Sequence, residues 1–152
     1  MKTIEKKIKA VQDRVKRLEQ LSGTLSSFDK YQASSDVKDI AERNIQVAIE
    51  GCLDIAKIVI SSKELPEPKD NKGVFTVLAE AGILSDASLK FLIPMAGTRN
   101  VLVHGYDKVE DSVIYEVLKR HLDDFAVFLK EISLALVALS FLYVRTNGCA
   151  RP

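Results

Sequence analysis

The sequence has no tryptophan, two histidines, two cysteines and four prolines in 152 residues. Cys52 sits inside a helical pattern and Cys149 in a polar tail. Their spacing is neither that of a metal site nor that of a disulfide framework, which excludes the small disulfide-stapled class and points to a reducing, cytoplasmic setting. With seven glycines, mostly at candidate ends and turns, the chain has too few turn signals for a strand-rich fold. Charge of one sign is also missing: 22 basic against 21 acidic side chains leave +1. No global basic field can gather nucleic acid or a membrane surface, so any anion must be held by a local site. The most apolar run, Ile132 to Val144, is broken by Ser133 and Ser140. It is shorter than the roughly 20 residues that cross a bilayer, so it reads as a buried or subunit-facing helix end and no membrane association is expected. The opening residues Met1 to Lys7 run straight into charged amphipathic sequence without the apolar core of an export signal. There is no glycine-rich phosphate loop, internal repeat or low-complexity tract.

What is present is helical periodicity. At 47% hydrophobic and 28% charged, the chain can fill one core, and the reading is a single domain over residues 1–144 followed by a flexible tail, 145–152. Ile4, Ile8, Val11, Val15 and Leu18 lay one apolar stripe down a first helix ending near Ser22 and Gly23. Its other faces carry Lys2, Lys6, Lys7, Lys9, Arg14, Lys16 and Arg17, either an RNA-facing surface or the ordinary charged exterior of a bundle helix. A short capped turn follows at Ser26 to Tyr31, and Ser34-Ser35-Asp36 opens the longest helix, running to about Lys63. There Ala41, Ile45, Ala48, Cys52, Ile55 and Val59 form the stripe, with Ile40, Val47 and Ile58 expected to widen it. Gly51, costly in mid-helix, predicts close packing. The Pro-rich stretch Glu64 to Gly73 is a loop, Val74 to Ala81 a short helix, and Ala87 to His104 a helix capped by Ser85-Asp86, with Pro94 expected to kink it and Gly105 to end it. A last, long helix from about Asp111 carries Ile114, Leu118, Leu122, Phe125, Leu129, Ile132, Leu136 and Leu139 on one stripe. The fold class is therefore all-α, an up-and-down bundle of about five helices.

The chemistry gathers in Arg99-Asn100-Val101-Leu102-Val103-His104-Gly105-Tyr106. Phosphoryl transfer without a metal needs a group that passes protons near neutral pH, a fixed cation for charge building on phosphorus, and polar groups that orient the substrate. His104, Arg99 and Asn100 supply that minimum. No metal ligands and no cofactor are expected. From Ala87 to Tyr106 there is not one Asp or Glu, which suits a site for phosphates and equally a buried interface helix. Glu42, Arg43 and Asn44 either support the motif from the neighbouring helix or are surface groups that satisfy each other at helical spacing. His121, outside any motif, reads as structural. Five helical positions turn the chain by about 140°, so Arg99 and His104 point apart on a straight helix. Either unwinding at Gly105 brings them together or a two-fold dimer combines motif helices from both subunits.

The run from Met95 to Tyr106 resembles the HEPN superfamily, in its HepT-like toxin branch, whose motif is Arg, four residues, His, any residue, Tyr. Glu42 to Ile55 is similar to that branch's long second helix, and Leu78 to Leu84 to the short element before its motif helix. The resemblance implies a dimeric HEPN bundle acting as the toxin of a type VII toxin–antitoxin pair. Its activity would be metal-independent RNA cleavage by attack of the 2′-hydroxyl. His104 would move protons, Arg99 would stabilise the phosphorane, and Asn100 would hold phosphate or order the His ring. It also implies a partner, a minimal nucleotidyltransferase (MNT) antitoxin that silences the toxin by placing AMP groups on Tyr106. The residue-level alternative is a Tyr that packs on the helix end. Thr98 stands where relatives often carry an aromatic, and Asp107 where some carry Trp, which removes base-stacking contacts. A non-catalytic module that binds nucleotides or a nucleotidyltransferase, or a purely structural helical adaptor, are the rival readings.

Overall fold

The computed structural model describes residues 2–105 and 109–148, with side chains over 3–105 and 109–138. The helices are α1 (Lys2–Thr24), α2 (Phe28–Ala33), α3 (Ser35–Ser62), α4 (Asn71–Glu80), α5 (Asp86–His104), α6 (Asp111–Glu116) and α7 (Leu122–Gly148). A π-helical turn, Val117–His121, joins the last two. Counting α6, the π turn and α7 as one rod and setting aside the six-residue α2, five rods carry the bundle, and no strand occurs among the described residues. The all-α bundle expectation holds.

Serine and aspartate caps set where the helices begin. Ser27, Ser34 and Ser85 accept hydrogen bonds from the backbone N–H groups of Lys30, Val37 and Ser88, satisfying donors that a helix start leaves open. Asp70 does the same for Gly73, so α4 starts at Asn71, three residues before the Val74 expected from its apolar pattern. α3 is central, packing against α1, α4 and α5, with α7 closing the bundle against α1, α3 and α5. Lys7 pairs with Asp54 and Arg14 with Asn44, so α1 and α3 run antiparallel.

The predicted stripes are buried: Ile4, Val11, Val15 and Leu18 on α1, and Ala41, Ile45, Ala48, Cys52, Ile55 and Val59 on α3. A Cβ built on Gly51 would run into Val11 Cγ2, so glycine is what lets α1 approach α3 this closely. Burial also pushes the Cys52 thiol pKa up. One expectation fails: Ile40 is 51% exposed and widens nothing, and the buried face extends instead through Ile49, Leu53, Ala56 and Ile60. The last helix also departs from expectation, because the π turn interrupts it, although Ile114, Leu118, Leu122, Phe125, Leu129 and Ile132 are all buried as predicted. Lys119 of that turn donates to the Ser22 and Leu25 carbonyls and so closes the C-terminal end of α1. His121 stacks on Phe91 and bonds Asp124 at 2.8 Å, a structural role.

Beyond Ile132, α7 exposes Leu134 (61%) and Val137 (64%) and continues to Gly148, past position 144 where the sequence reading ends the domain. Among the described residues no helix is long and apolar enough to cross a membrane.

Candidate active site

α5 carries the motif, and its N-terminal half is firmly seated. Phe91, Leu92, Met95 and Ala96 are buried, Phe91 meets Phe125 edge-on at 5.0 Å, and Glu131 of α7 accepts hydrogen bonds from the Ser85 backbone and from the hydroxyls of Ser85 and Ser88. The helix passes through the exposed Pro94 without a break, and Thr98 donates to the Pro94 carbonyl. It ends where the sequence says it should, at Gly105, whose left-handed backbone (φ 65°) accommodates the C-terminal cap.

The polar residues occupy the last two turns. Arg99 Nε donates to Glu50 Oε1 of α3 at 3.3 Å, and Arg99 Nη1 donates to Asn100 Oδ1 at 3.2 Å. The same Asn100 oxygen accepts from Asn71 Nδ2 of α4 at 3.4 Å, and Glu50 Oε1 also accepts from Gln46 Nε2 at 3.1 Å. With Oδ1 used twice, the amide nitrogen is what Asn100 has left to offer an anion. Arg99 and Asn100 are thus brought together and fixed by side chains from α3 and α4. Both members of the Arg99–Glu50 pair keep about a quarter to a third of their side chains accessible, 25% and 32%.

Glu50 corrects one expectation. From Ala87 onward the motif helix has no acid, its one carboxylate being Asp86 in the first turn, yet the folded site contains a carboxylate, supplied by α3 directly to the guanidinium. The acid-free stretch therefore does not make a carboxylate-free site. Glu50, Gln46 and Asn71 are the residues that sequence reasoning missed. Gln46 and Glu50 stand four apart on one face of α3, a spacing that is visible in the sequence, but their pairing with α5 is set only by the fold.

His104 is exposed at the final helical position, its placement fixed by a helix that stays regular until Gly105. Unwinding therefore begins only after His104, and the helix rotation of about 140° between it and Arg99 stands within one chain. Tyr106 lies outside the described residues, as does Asp107. Glu42 is half-buried beside the C-terminal end of α5, lining with Lys38, Val101, Leu102, Gly105 and Asp111 a cavity of about 370 Å³. The buried Tyr31 hydroxyl nearby has no hydrogen-bond partner among the described residues. Burial first, then the charges of Glu42 and Asp111, push its pKa above the ordinary tyrosine value. Arg43 is not part of this cluster; it is exposed and lines a separate cleft against α1.

An antiparallel helical bundle that ends one helix in an arginine, an asparagine and a histidine is of the HEPN type, the class of the solved toxin structures it superposes on. The chain belongs to the ribonuclease HepT-like family, whose pattern matches residues 11–132. It is 30% identical over 126 residues to the mRNA nuclease HepT of Shewanella oneidensis, covering 83% of this chain and 92% of that protein. It is 26% identical over 127 residues to the tRNA nuclease HepT of Aphanizomenon flos-aquae, covering 84% and 83%. Among solved structures, a tri-AMPylated Shewanella oneidensis HEPN toxin in complex with its MNT antitoxin superposes with a TM-score of 0.79 at 28% identity, over 86% of this chain and 96% of that one.

Proposed function

We propose that this chain is the toxin of a toxin–antitoxin pair and an endoribonuclease that cleaves RNA through the ribose 2′-hydroxyl. The observation that carries the reading is the braced Arg99–Asn100 pair, one turn before His104 on a helix of a HepT-like bundle. His104 acts as general base on the 2′-hydroxyl or as general acid on the leaving 5′-oxygen, and its mate in the dimer takes the other role. Because Arg99 and His104 diverge on their own helix, the complete site forms in a homodimer, where a second motif helix supplies the other proton-transfer group. Arg99 offers its Nη groups to the phosphorane, and the Asn100 amide nitrogen holds a phosphate oxygen. Glu50 takes the Nε edge of Arg99, which leaves the distal end of the guanidinium as the part that meets substrate. The products are a 2′,3′-cyclic phosphate and a 5′-hydroxyl, and DNA is not cut.

The partner is an MNT-type nucleotidyltransferase antitoxin, a proposal supported by the AMPylated relative held in such a complex. Tyr106, two residues past His104, is the acceptor. Phosphates placed there would sit beside the motif cation and compete with RNA for it. The protein acts in the cytoplasm, as a single domain with a short C-terminal tail.

The Arg99–Glu50 contact favours one second reading, a module that binds nucleotide or nucleotidyltransferase without cutting, since a paired guanidinium is partly neutralised. Induced expression of wild type, His104→Ala and Arg99→Ala at matched levels decides between them, with RNA examined for new cyclic-phosphate ends. Growth arrest and new ends that vanish in both variants are expected. Nucleotide binding without arrest or new ends from a folded wild type would move the conclusion to the binding module.

A further inference from the structure

The cleft that takes Arg43 away from the motif is built from three arginines. Arg14 and Arg17 of α1 face Arg43 of α3 across a space of about 710 Å³, with Asp39 contributing a single carboxylate. Elsewhere the chain balances its charges almost one for one, so three guanidiniums against one carboxylate mark a local excess. One arginine is held in place: Arg14 Nη1 donates at 3.1 Å to Oδ1 of the buried Asn44, whose own amide nitrogen donates to the Ile40 carbonyl at 2.8 Å. The cleft wall also explains the misplaced Ile40. Its exposed side chain and that of Leu21 give the arginine cleft an apolar side.

Position along α3 connects this cleft to the motif. Arg43 and Glu50 are seven residues apart, so they differ by only about 20° around the helix and lie about 10 Å apart along it. Arg43 therefore opens on the same outward face of α3 as the residue that holds Arg99. A single strand bound at Arg99 can continue along that face with phosphates on the arginines and a ribose or base against Ile40 and Leu21. Planar guanidinium forks suit phosphate oxygens, and an apolar wall suits a base face without selecting its identity.

We propose that the α1–α3 cleft formed by Arg14, Arg17 and Arg43 is a second RNA-binding site, which grips the phosphodiester backbone of the single strand flanking the scissile bond. This rests on the ribonuclease reading for its substrate, although binding can be measured without cleavage. Arg17 and Arg43 are exposed, so Arg17→Gln/Arg43→Gln leaves the core intact, whereas Arg14 is better left to brace Asn44.

The probe is a labelled 2′-O-methyl oligoribonucleotide, which lacks the attacking hydroxyl and stays whole. Binding is titrated from 50 to 300 mM salt with wild type, the double variant, and a charge-matched control, Lys90→Gln/Lys130→Gln, on exposed positions of α5 and α7. The expected result is affinity weaker by tenfold or more for the arginine variant only, with the log–log salt slope reduced by about 1.4, the share of two phosphates on a single strand. Wild-type affinity and slope in the arginine variant overturn the proposal. So does an unchanged affinity with altered self-association in sedimentation, which assigns the cleft to a second copy of the chain. Cleavage of unmodified RNA by wild type is followed in parallel. Cleavage with no arginine effect sinks the cleft alone, and an arginine effect on binding without cleavage sinks the ribonuclease reading alone.

Discussion

The two halves of α5 are made differently. Its first half buries Phe91, Leu92, Met95 and Ala96, and is tied at its start by Ser85, Ser88 and Glu131. Its last two turns hold no fully buried side chain, being half-buried up to Leu102 and exposed at Val103 and His104, and Arg99 and Asn100 are held by polar side chains of α3 and α4. One helix thus serves as anchor and as tool. Burial gives the first half the energy to fix the helix axis, and the second half can spend its residues on chemistry because its direction is already set. The difference implies that stability and activity separate along the helix, and it can be broken by substitutions on either side of Gly97.

The largest effect is expected at the open end. His104→Ala should lower the rate of RNA cleavage by about 10²- to 10⁴-fold, the usual worth of a positioned proton-transfer group, while thermal unfolding stays within a degree or two of wild type. Single-turnover cleavage and calorimetry check both halves of that statement. At the anchored end, Leu92→Ala should behave in the opposite way: a loss of about 2–5 kcal/mol in denaturant unfolding, from a side chain only 1% exposed, with the cleavage rate of the remaining folded protein unchanged. A large activity loss in folded Leu92→Ala protein would mean that the two halves are not separable.

Glu50 tests how the open end is held. Glu50→Ala removes the acceptor of Arg99 Nε and should cost about tenfold in kcat. Glu50→Gln keeps an acceptor oxygen while deleting the charge, so it should hold kcat near wild type and lower KM for RNA, because no carboxylate then opposes the substrate phosphate beside Arg99. Equal behaviour of the two variants would reduce Glu50 to a surface charge. The smallest effect belongs to the cap: Ser85→Ala should destabilise by about 1 kcal/mol, read as a shift in the urea midpoint at constant slope.

Much of this division was legible beforehand, and for local reasons. Ser34, Ser85 and Gly105 mark helix ends through their own side chains or backbone freedom, so neighbouring letters suffice to place them. Asp70 follows two prolines in a charged loop and its capping role was overlooked, which shifted the start of α4. The π turn left no trace because Ile114, Leu118, Leu122 and Phe125 keep the spacing of an uninterrupted helix. At the site, Arg99, Asn100 and His104 share one short stretch, whereas Glu50 and Asn71 reach it from 49 and 29 positions away along the chain. Linear spacing carries no record of such partners. The acid-free stretch from Ala87 fits a phosphate site and a buried interface helix alike, and neither reading shows that an arginine with no acid near it on its own helix can find its counter-ion on another. Arg43 shows the same limit in reverse, since helical spacing beside Glu42 did not reveal that it opens towards α1.

The tight seam between α1 and α3 has a practical consequence for watching this protein breathe. Gly51 allows Val11 to close over the helix, and the next residue, Cys52, is wholly buried, with burial holding its thiol in the unreactive protonated form. A thiol reagent can reach Cys52 only when the packing around α3 opens. In a Cys149→Ser background its labelling rate becomes a clock for that opening, timed from the centre of the bundle by a group the chain already carries.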